Sequence, residues 1–446
     1  MPKYERAIFW FKRDLRLEDN RALYEAVSNS KEVFPIFIFT PDLLKNFGKR
    51  PARLGFIVSA LKNLETKINQ KGGRLYTFSG EPKEIFLEIL KTSKAQAIFT
   101  NKDLSFSEEK IEEEVLTLCT SFGIAYHAYM GNFLCDITKL PYKKVFSGFF
   151  KEWIKNIDLS VYPEPNEIRT PYLPFPTLKE LLKGLEHEEN RFFPLEMGFA
   201  RLKTFNFREY EKTRNRLDLD GTSKLSPYIR SGVISLREIF KRAFEEAVPD
   251  CQFIKELAWR EFWYHIKHYF PEMKDLEFQE KRRSIPWKFD EKQFEAFITG
   301  QTGYPIVDAA IRQLRLEGYM HNRARMIVAS FLTKDLLIDW RAGERFFKEH
   351  LLDYDEVVNT GNWQWVASVG PDPKPLRVFN PILQAQKFDP KAKYIKKYLP
   401  ELKEVPAYML HNPLKYKLPY HKPIVNHYEQ VKVTRAIFRN VSKRYS

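Results

Sequence analysis

Three clusters in the C-terminal half of the sequence hold carboxyl, amide and indole side chains that could bind a flat heterocycle. In Glu256-Leu257-Ala258-Trp259-Arg260-Glu261-Phe262-Trp263, residues Glu256, Trp259 and Trp263 fall at i, i+3 and i+7, one face of a helix. A carboxylate beside two indoles can bond a ring's edge and stack on its face. A buried helix with a surface carboxylate has the same pattern. In His321-Asn322-Arg323-Ala324-Arg325-Met326, residues Asn322, Arg325 and Met326 again share a face. A buried Asn amide there needs partners, which a base edge could supply. The third cluster is Asp353-Tyr354-Asp355, followed by Asn359 and Trp363-Gln364-Trp365. Nothing nearby completes an oxygen cage for a cation. These groups could instead bond the edge of a flavin ring and its ribityl chain.

Two further segments are chemically suggestive. Gly221-Thr222-Ser223-Lys224-Leu225-Ser226-Pro227 sets hydroxyls and a cation before a helical stretch, which suits a phosphate group or an ordinary helix cap. Phe9-Trp10-Phe11 runs into the charged turn Lys12-Arg13-Asp14-Leu15-Arg16-Leu17-Glu18-Asp19-Asn20, a strand meeting a loop and a helix start.

The elements that must position these residues differ between the two halves. Residues 1–131 alternate strand and helix patterns. Strand runs fall at Ala7–Phe11, Val33–Phe39, Leu75–Phe78, Ala97–Thr100 and Ile124–Tyr129, and helical runs at Leu54–Ile68, Glu84–Leu90 and Glu108–Leu118. This alternation predicts an α/β doubly wound parallel sheet, which binds ligands at the carboxyl ends of its strands. There is no G-x-G-x-x-G and no Walker loop, and Lys71-Gly72-Gly73 reads as a helix stop. Residues 132–200 hold prolines at 141, 163, 165, 171, 174, 176 and 194, the pattern of a connector wrapped on the surface, with a helix near Gly148–Ile157. From about residue 201 to 446 the pattern is all-α, with helices expected over Tyr304–Leu316, Met320–Asp339 and Trp340–Leu352.

Composition sets outer limits. The 446 residues favour two domains. The 73 Lys and Arg outnumber the 58 Asp and Glu, giving +15 and favouring phosphate-bearing partners. Cys119, Cys135 and Cys251 form no C-x-x-C pair, and His265 and His268 lack a third ligand, so neither a disulfide framework nor a metal site is expected. No apolar run approaches the ~20 residues of a membrane helix. The longest apolar run near the N-terminus, Ala7 to Phe11, is too short for a secretory signal.

Taken in order, these motifs resemble the photolyase and cryptochrome family, most closely its microbial class I-type members that act on cyclobutane pyrimidine dimers. The resemblance covers nearly the whole chain. It is densest over 221–389, including Thr302-Gly303-Tyr304-Pro305-Ile306-Val307-Asp308-Ala309-Ala310, Asp339-Trp340-Arg341 and Phe379-Asn380-Pro381. It implies an antenna domain over 1–131, a connector over 132–200 and an all-helical catalytic domain over 201–446 that binds FAD and DNA. Tyr210, Thr222, Ser223, Lys224, Leu225 and Ser226 match phosphate and ribityl contacts. Arg260, Asn322, Arg325, Asp353, Tyr354 and Asp355 match further cofactor contacts, and Asn359 stands where the family faces flavin N5. Glu256, Trp259, Asn322, Arg323, Met326 and Trp365 match the dimer pocket. Trp363, Trp340 and Trp287 match the relay that reduces the flavin.

The resemblance further implies light-dependent repair of UV-damaged DNA, by electron transfer from excited reduced FAD to the dimer and back. A second, antenna chromophore (folate, deazaflavin or flavin) is expected. Ser107-Glu108 only half-matches the Asn-Glu of folate-binding relatives, leaving Glu108 as the antenna residue. Tyr319 stands where relatives often carry Trp, and Asn359-Thr360-Gly361-Asn362 replaces Asn-Asn-Gly-Gly. The alternatives are a cryptochrome-type blue-light receptor and repair of the 6-4 photoproduct. Against the first stand Asn359, where plant receptors carry Asp, and an end at Ser446 with no long extension. Against the second stands Asn322, where those relatives place a second His. A basic scaffold without a flavin is the reading outside light chemistry. The expected setting is the cytoplasm of a bacterial or archaeal cell, as a monomer on DNA, with no membrane, metal or obligate protein partner.

Overall fold

The computed structural model describes residues 2–48, 50–247, 251–372, 374 and 376–443. Runs rich in aromatic and aliphatic residues form one parallel sheet: β1 (Tyr4–Phe11), β2 (Ser30–Phe39), β3 (Tyr76–Ser79), β4 (Ala97–Asn101) and β5 (Ala125–Tyr129), ordered β3-β2-β1-β4-β5. β1 pairs on both sides, with Ala7 opposite Val33 of β2 and Ala97 of β4. Helices Arg21–Asn29, Pro51–Gln70, Pro82–Ser93 and Phe106–Ser121 supply the crossovers. The chain moves outward from β1 to β3, then returns past β1 to β4 and β5. Right-handed crossovers turn that reversal into helices on both faces of the sheet. β1 is buried from Ala7 to Phe11, so it reads as a continuous apolar run rather than an alternating one.

Two helices of this region escape the periodicity. Arg21–Asn29 buries only Ala22, Leu23 and Ala26; what starts it is Asn20, whose side chain accepts from Leu23 N at 3.2 Å. Pro41–Gly48 is a short helix directly after β2. The Pro51–Gln70 helix stops where expected, with Gly72 at φ +80° and Gly73 N bonded to Ile68 O at 3.0 Å.

The proline-rich stretch is partly interior. Val33 N bonds to Arg169 O and Thr77 N to Pro176 O, both at 2.9 Å, and Tyr76 OH donates to Pro171 O at 2.9 Å. Phe175 packs edge-on against Tyr76 and Phe78, and Ile168 and Leu173 are buried. This segment covers the open edge at β3 instead of lying loosely on the surface. The expected helix near 148–157 lies at Phe146–Trp153.

The chain divides into two compact units. One holds Met1–Pro141, Lys151–Phe205 and Lys224–Glu246; the other holds Tyr142–Phe150, Asn206–Ser223 and Ala247–Ser446. The second is helical, and its β structure among the described residues is an isolated bridge between Lys288 and Ile338. Its core forms around helices Pro305–Glu317, Asn322–Ser330, Trp340–His350 and Glu356–Ala367. Pro305 opens the first of these and Gly318, at φ +68°, closes it. Asp308 braces the preceding loop, accepting from Thr302 N (2.8 Å), Thr302 Oγ1 (2.6 Å) and Gly303 N (3.1 Å).

The expected helix Met320–Asp339 is broken. Asn322–Ser330 gives way to a π turn, Phe331–Asp335, and Leu337 has φ +54°. The cause is tertiary: Lys334 and Asp335 are buried there. Lys334 Nζ donates to Ala367 O, and Asp335 pairs with His427 at the start of the C-terminal helix His427–Lys443. No described helix is long and apolar enough to cross a membrane.

Candidate functional site

Helix Gln252–Tyr269 and the end of helix Glu356–Ala367 bring Glu256, Trp259 and Trp365 together. The rings of Trp259 and Trp365 stand 6.4 Å apart at 71°, edge to face. Phe146 stacks on Trp259 at 3.9 Å and 2°, and the guanidinium of Arg377 sits 4.0 Å from the centre of the Trp365 ring. Both indoles are thereby fixed, although each remains half-buried. Glu256 Oε1 takes Gln252 Nε2 at 2.7 Å and an ion pair with Arg214. Those contacts use one oxygen and leave Oε2 as an acceptor. Trp263, expected on the same face, is buried, and glycine at 361 makes room for it: a Cβ there would come within 2.3 Å of its ring.

The Asn322–Met326 cluster differs from expectation in one respect. Asn322 is exposed, because it is the first residue of its helix and His321 supplies the cap, accepting from Arg323 N at 3.1 Å. Its amide can be satisfied by water and needs no buried partner. Met326 is half-buried. Arg323 donates to Asn215 Oδ1 (2.7 Å) and Gln384 Oε1 (3.4 Å); burial and nearby Arg214 lower its pKa to about 10, so it stays charged at neutral pH.

The acidic cluster splits into separately held groups. Asp353 takes Arg325 in a two-oxygen pair at 3.1 and 2.8 Å. Asp355 caps the Glu356–Ala367 helix through Val358 N at 3.1 Å and accepts from Tyr264 OH at 2.7 Å; Arg260 lies over the Tyr264 ring at 5.5 Å. Asn359 Nδ2 donates to Glu344 Oε1 at 3.0 Å and to Glu344 O at 3.3 Å, while Tyr354 OH donates to the same Oε1 at 3.0 Å. Burial pushes the Glu344 carboxyl above its usual range, toward a neutral acid. The Asn359 amide is thus turned by its donor end, with its oxygen left to accept.

The three indoles of the expected relay are set differently from one another. Trp363 is buried against Gly343, where a Cβ would come within 2.1 Å of its ring, and its Nε1 has no hydrogen-bond partner among the described residues. Trp340 is buried and Trp287 half-buried, and both donate to Glu277. Sequence reasoning missed Arg214, Tyr264, Glu277 and Glu344. Each acts through a partner distant in the chain, so local spacing held no signal for them.

Residues 210–226 are shared between the units. Tyr210 is half-buried beside Phe253 (5.1 Å), and Thr213 Oγ1 donates to Gly221 O at 3.0 Å, drawing the Thr222-Ser223 segment in. In the other unit Lys224 has φ +55°, Leu225 is buried, and Ser226 begins the six-residue helix Ser226–Ser231. Pro227 in that first turn brings no N–H, so the helix start offers fewer phosphate donors than the sequence suggested.

At the carboxyl ends of β1 and β4, where the strand order reverses, charged groups are packed closely. Arg13 pairs with Asp103 at 2.7 Å and Lys12 pairs with Glu112. Asn101 Nδ2 bonds Asp14 Oδ2 (2.6 Å) and Asn20 Oδ1 (2.7 Å). Arg16 donates to Asp19 O and Gly232 O, each at 2.9 Å, and Arg237 pairs with Asp19. Glu108 is half-buried here, its carboxyl pushed up by burial and by the negative charge of Asp103.

The donor set of the helical unit fits a flavin on its chemistry. It offers a fixed cation–carboxylate pair, a half-buried carboxyl behind an amide, and a buried indole N–H with no hydrogen-bond partner among the described residues. The profile of the FAD binding domain of DNA photolyase matches residues 253–440, and that of DNA photolyase matches residues 7–170. A deoxyribodipyrimidine photo-lyase of Synechococcus sp. is 37% identical over 97% of this chain and 96% of its own. The crystal structure of an archaeal photolyase from Sulfolobus tokodaii with two FAD molecules superposes with TM-score 0.89 at 35% identity, covering 98% of this chain and all of that one (100%). A Synechocystis cryptochrome superposes with TM-score 0.87 at 28% identity, over 98% and 100% of the two chains. With a doubly wound sheet followed by a helical flavin-type unit, and with this likeness running nearly end to end, the chain belongs to the DNA photolyase family.

Proposed function

We propose that the chain is a deoxyribodipyrimidine photo-lyase, an enzyme of light-driven DNA repair that binds FAD and opens cyclobutane pyrimidine dimers in UV-damaged DNA. The observation that best supports this is the angled pair Trp259 and Trp365 beside the accepting oxygen of Glu256. Two fused pyrimidines present flat faces and edge N–H groups, for which indole rings and a carboxylate oxygen are chemically suited partners. A dimer is poorly stacked in the duplex, so flipping it out costs only a few kcal/mol. Bound FAD in its reduced form would supply light-driven one-electron chemistry, lent to the dimer and recovered with no net redox change.

The protein's own residues hold, orient and neutralise. Glu256 Oε2 accepts from a base N–H, Met326 and Asn322 border the rings, and Arg323 offers charge to phosphate. Asp353 holds Arg325 by two bonds, and Arg260 lies over the Tyr264 ring that Asp355 anchors, so two cations would be offered to the cofactor. Tyr354 and Glu344 hold the donor end of Asn359, and its amide oxygen would be left to accept from a reduced flavin N–H without adding charge. Tyr210, Thr222, Ser223, Lys224, Leu225 and Ser226 serve the phosphates and ribityl chain. Trp363, Trp340 and Trp287 pass electrons inward when the flavin arrives oxidised. A second chromophore (folate, deazaflavin or flavin) sits at the charged end of β1 and β4, with Glu108 as its contact. Functional segments 1–131, 132–200 and 201–446 act within a monomer in the cytoplasm.

The test is direct. Purified protein should show flavin absorption and, once chemically reduced, should remove thymine dimers from an irradiated oligonucleotide under blue light and not in darkness. Flavin-containing protein that leaves the dimers intact would refute the assignment.

A further inference from the structure

We infer that Glu277 is a positioning residue of the electron relay, its one buried carboxylate tying the two outer indoles together and favouring positive charge on them over Trp363. The inference rests on the reading of Trp363, Trp340 and Trp287 as a relay. Glu277 Oε1 accepts from Trp340 Nε1 at 3.3 Å and from Trp287 Nε1 at 3.4 Å. The same carboxylate takes Arg341, with Nη1 to Oε1 at 3.0 Å and Nη2 to Oε2 at 3.1 Å. It is only 3% exposed. Burial would raise its pKa, but the bonds and charge of Arg341 hold it below the usual range, so it is ionised at neutral pH.

An ion pair with Arg341 alone would not require both indole N–H groups on one oxygen. That convergence joins Trp340 and Trp287, 53 positions apart in sequence, at a single negative charge. Arg341 also lies 4.6 Å from the centre of the Trp340 ring, where its charge would oppose oxidation of that ring; Glu277 and Asp339, at 3.0 and 3.1 Å from it, offset this. Trp363 has no such partner: its N–H is unbonded among the described residues. A cation formed there is less stabilised than one on Trp340 or Trp287. In photoreduction, Trp363 would give one electron to a bound, light-excited oxidised flavin. Trp340 refills Trp363, Trp287 refills Trp340, and an external thiol refills Trp287. Glu277 biases the transfer of positive charge from Trp363 to Trp340 outward and slows its return. It also absorbs the Asp339-Trp340-Arg341 motif into the same device: cap, relay ring and counter-ion.

The experiment uses full-length, flavin-bound protein at pH 8 with an external thiol. It measures the lifetime of the oxidised Trp signal after a flash and the yield of photoreduction. Glu277→Gln keeps an acceptor oxygen and removes the charge. It should shorten the signal and lower the yield by about tenfold, the factor equivalent to ~1.4 kcal/mol. Flavin content, and repair by chemically reduced enzyme, should stay at parental values. Arg341→Gln should act in the opposite direction and lengthen the signal, which loosened packing would not do. Trp363→Phe separates the layers. If it blocks photoreduction while Glu277→Gln behaves as parent, the relay stands and the role of Glu277 is refuted. If Trp363→Phe photoreduces normally, the relay reading and this inference both fall. Should Glu277→Gln lose flavin, Arg341→Gln decides alone, and a shortened signal there overturns the inference.

Discussion

At the scale of single residues, the proposed roles divide into groups that grip and groups that conduct, and substitutions should separate them. Trp363 Nε1 makes no hydrogen bond among the described residues, so Trp363→Phe forfeits none and leaves only a small void beside Gly343. Flash photolysis should find photoreduction strongly slowed in this variant, with repair by pre-reduced enzyme retained; normal photoreduction would return the indole to a packing role. Glu256→Gln should give the converse, because it alters the acceptor proposed to meet the dimer and leaves the indoles alone. Loss of a charged hydrogen bond of this kind weakens binding by ~1.5–3 kcal/mol, readable as weaker affinity for dimer-containing DNA. Asp353→Asn removes the anion that fixes Arg325 by two bonds. The ratio of flavin to protein absorbance should fall, and full occupancy would show that Arg325 is held well enough without it.

At the scale of elements, the sequence was most informative where a pattern is local. The strands and the Pro305–Glu317 helix announce themselves by period and by their Pro and Gly ends, and the placing of Glu256, Trp259 and Trp263 on one helix followed from their spacing. What it hid depends on distant partners. The π turn at Phe331–Asp335 exists because Lys334 and Asp335 find partners at Ala367 and His427, and Glu344 is meaningful only beside Asn359. Asn322 was misjudged as buried because periodicity gives the face of a helix and not how deep its first residue lies. The loop brace at Asp308 yields a pH test. Burial raises this carboxyl to about 6, from an ordinary 3.8. A raised folded-state value means the folded protein binds the proton more tightly, so the stabilisation is present at low pH and is lost as pH rises through about 6. Relative to Asp308→Asn, which cannot titrate, the parent should lose roughly 2 kcal/mol of unfolding free energy between pH 4 and pH 7. Urea titrations of both proteins across that range would show parallel slopes if Asp308 does not titrate as described.

At the scale of the whole molecule, the +15 charge and the damaged-DNA reading make salt a decisive variable. Each phosphate neutralised should add about −0.9 to the slope of log affinity against log salt, while the preference for dimer-containing over intact strands should persist as salt rises, since it comes from the pocket. Equal affinity for both DNAs at every salt concentration would indicate a general polyanion binder. The interleaving of the two units has a consequence for how the protein is made. The sheet-bearing unit draws on Lys224–Glu246, which supplies the Gly232 carbonyl to Arg16 and Arg237 to Asp19, whereas the helical unit already claims Tyr142–Phe150. Neither unit can therefore be finished on the ribosome before the other has begun. A nascent chain halted near residue 205 would expose the buried charges of the β1 loop without their counterparts, and would be a client for chaperones rather than a folded first domain.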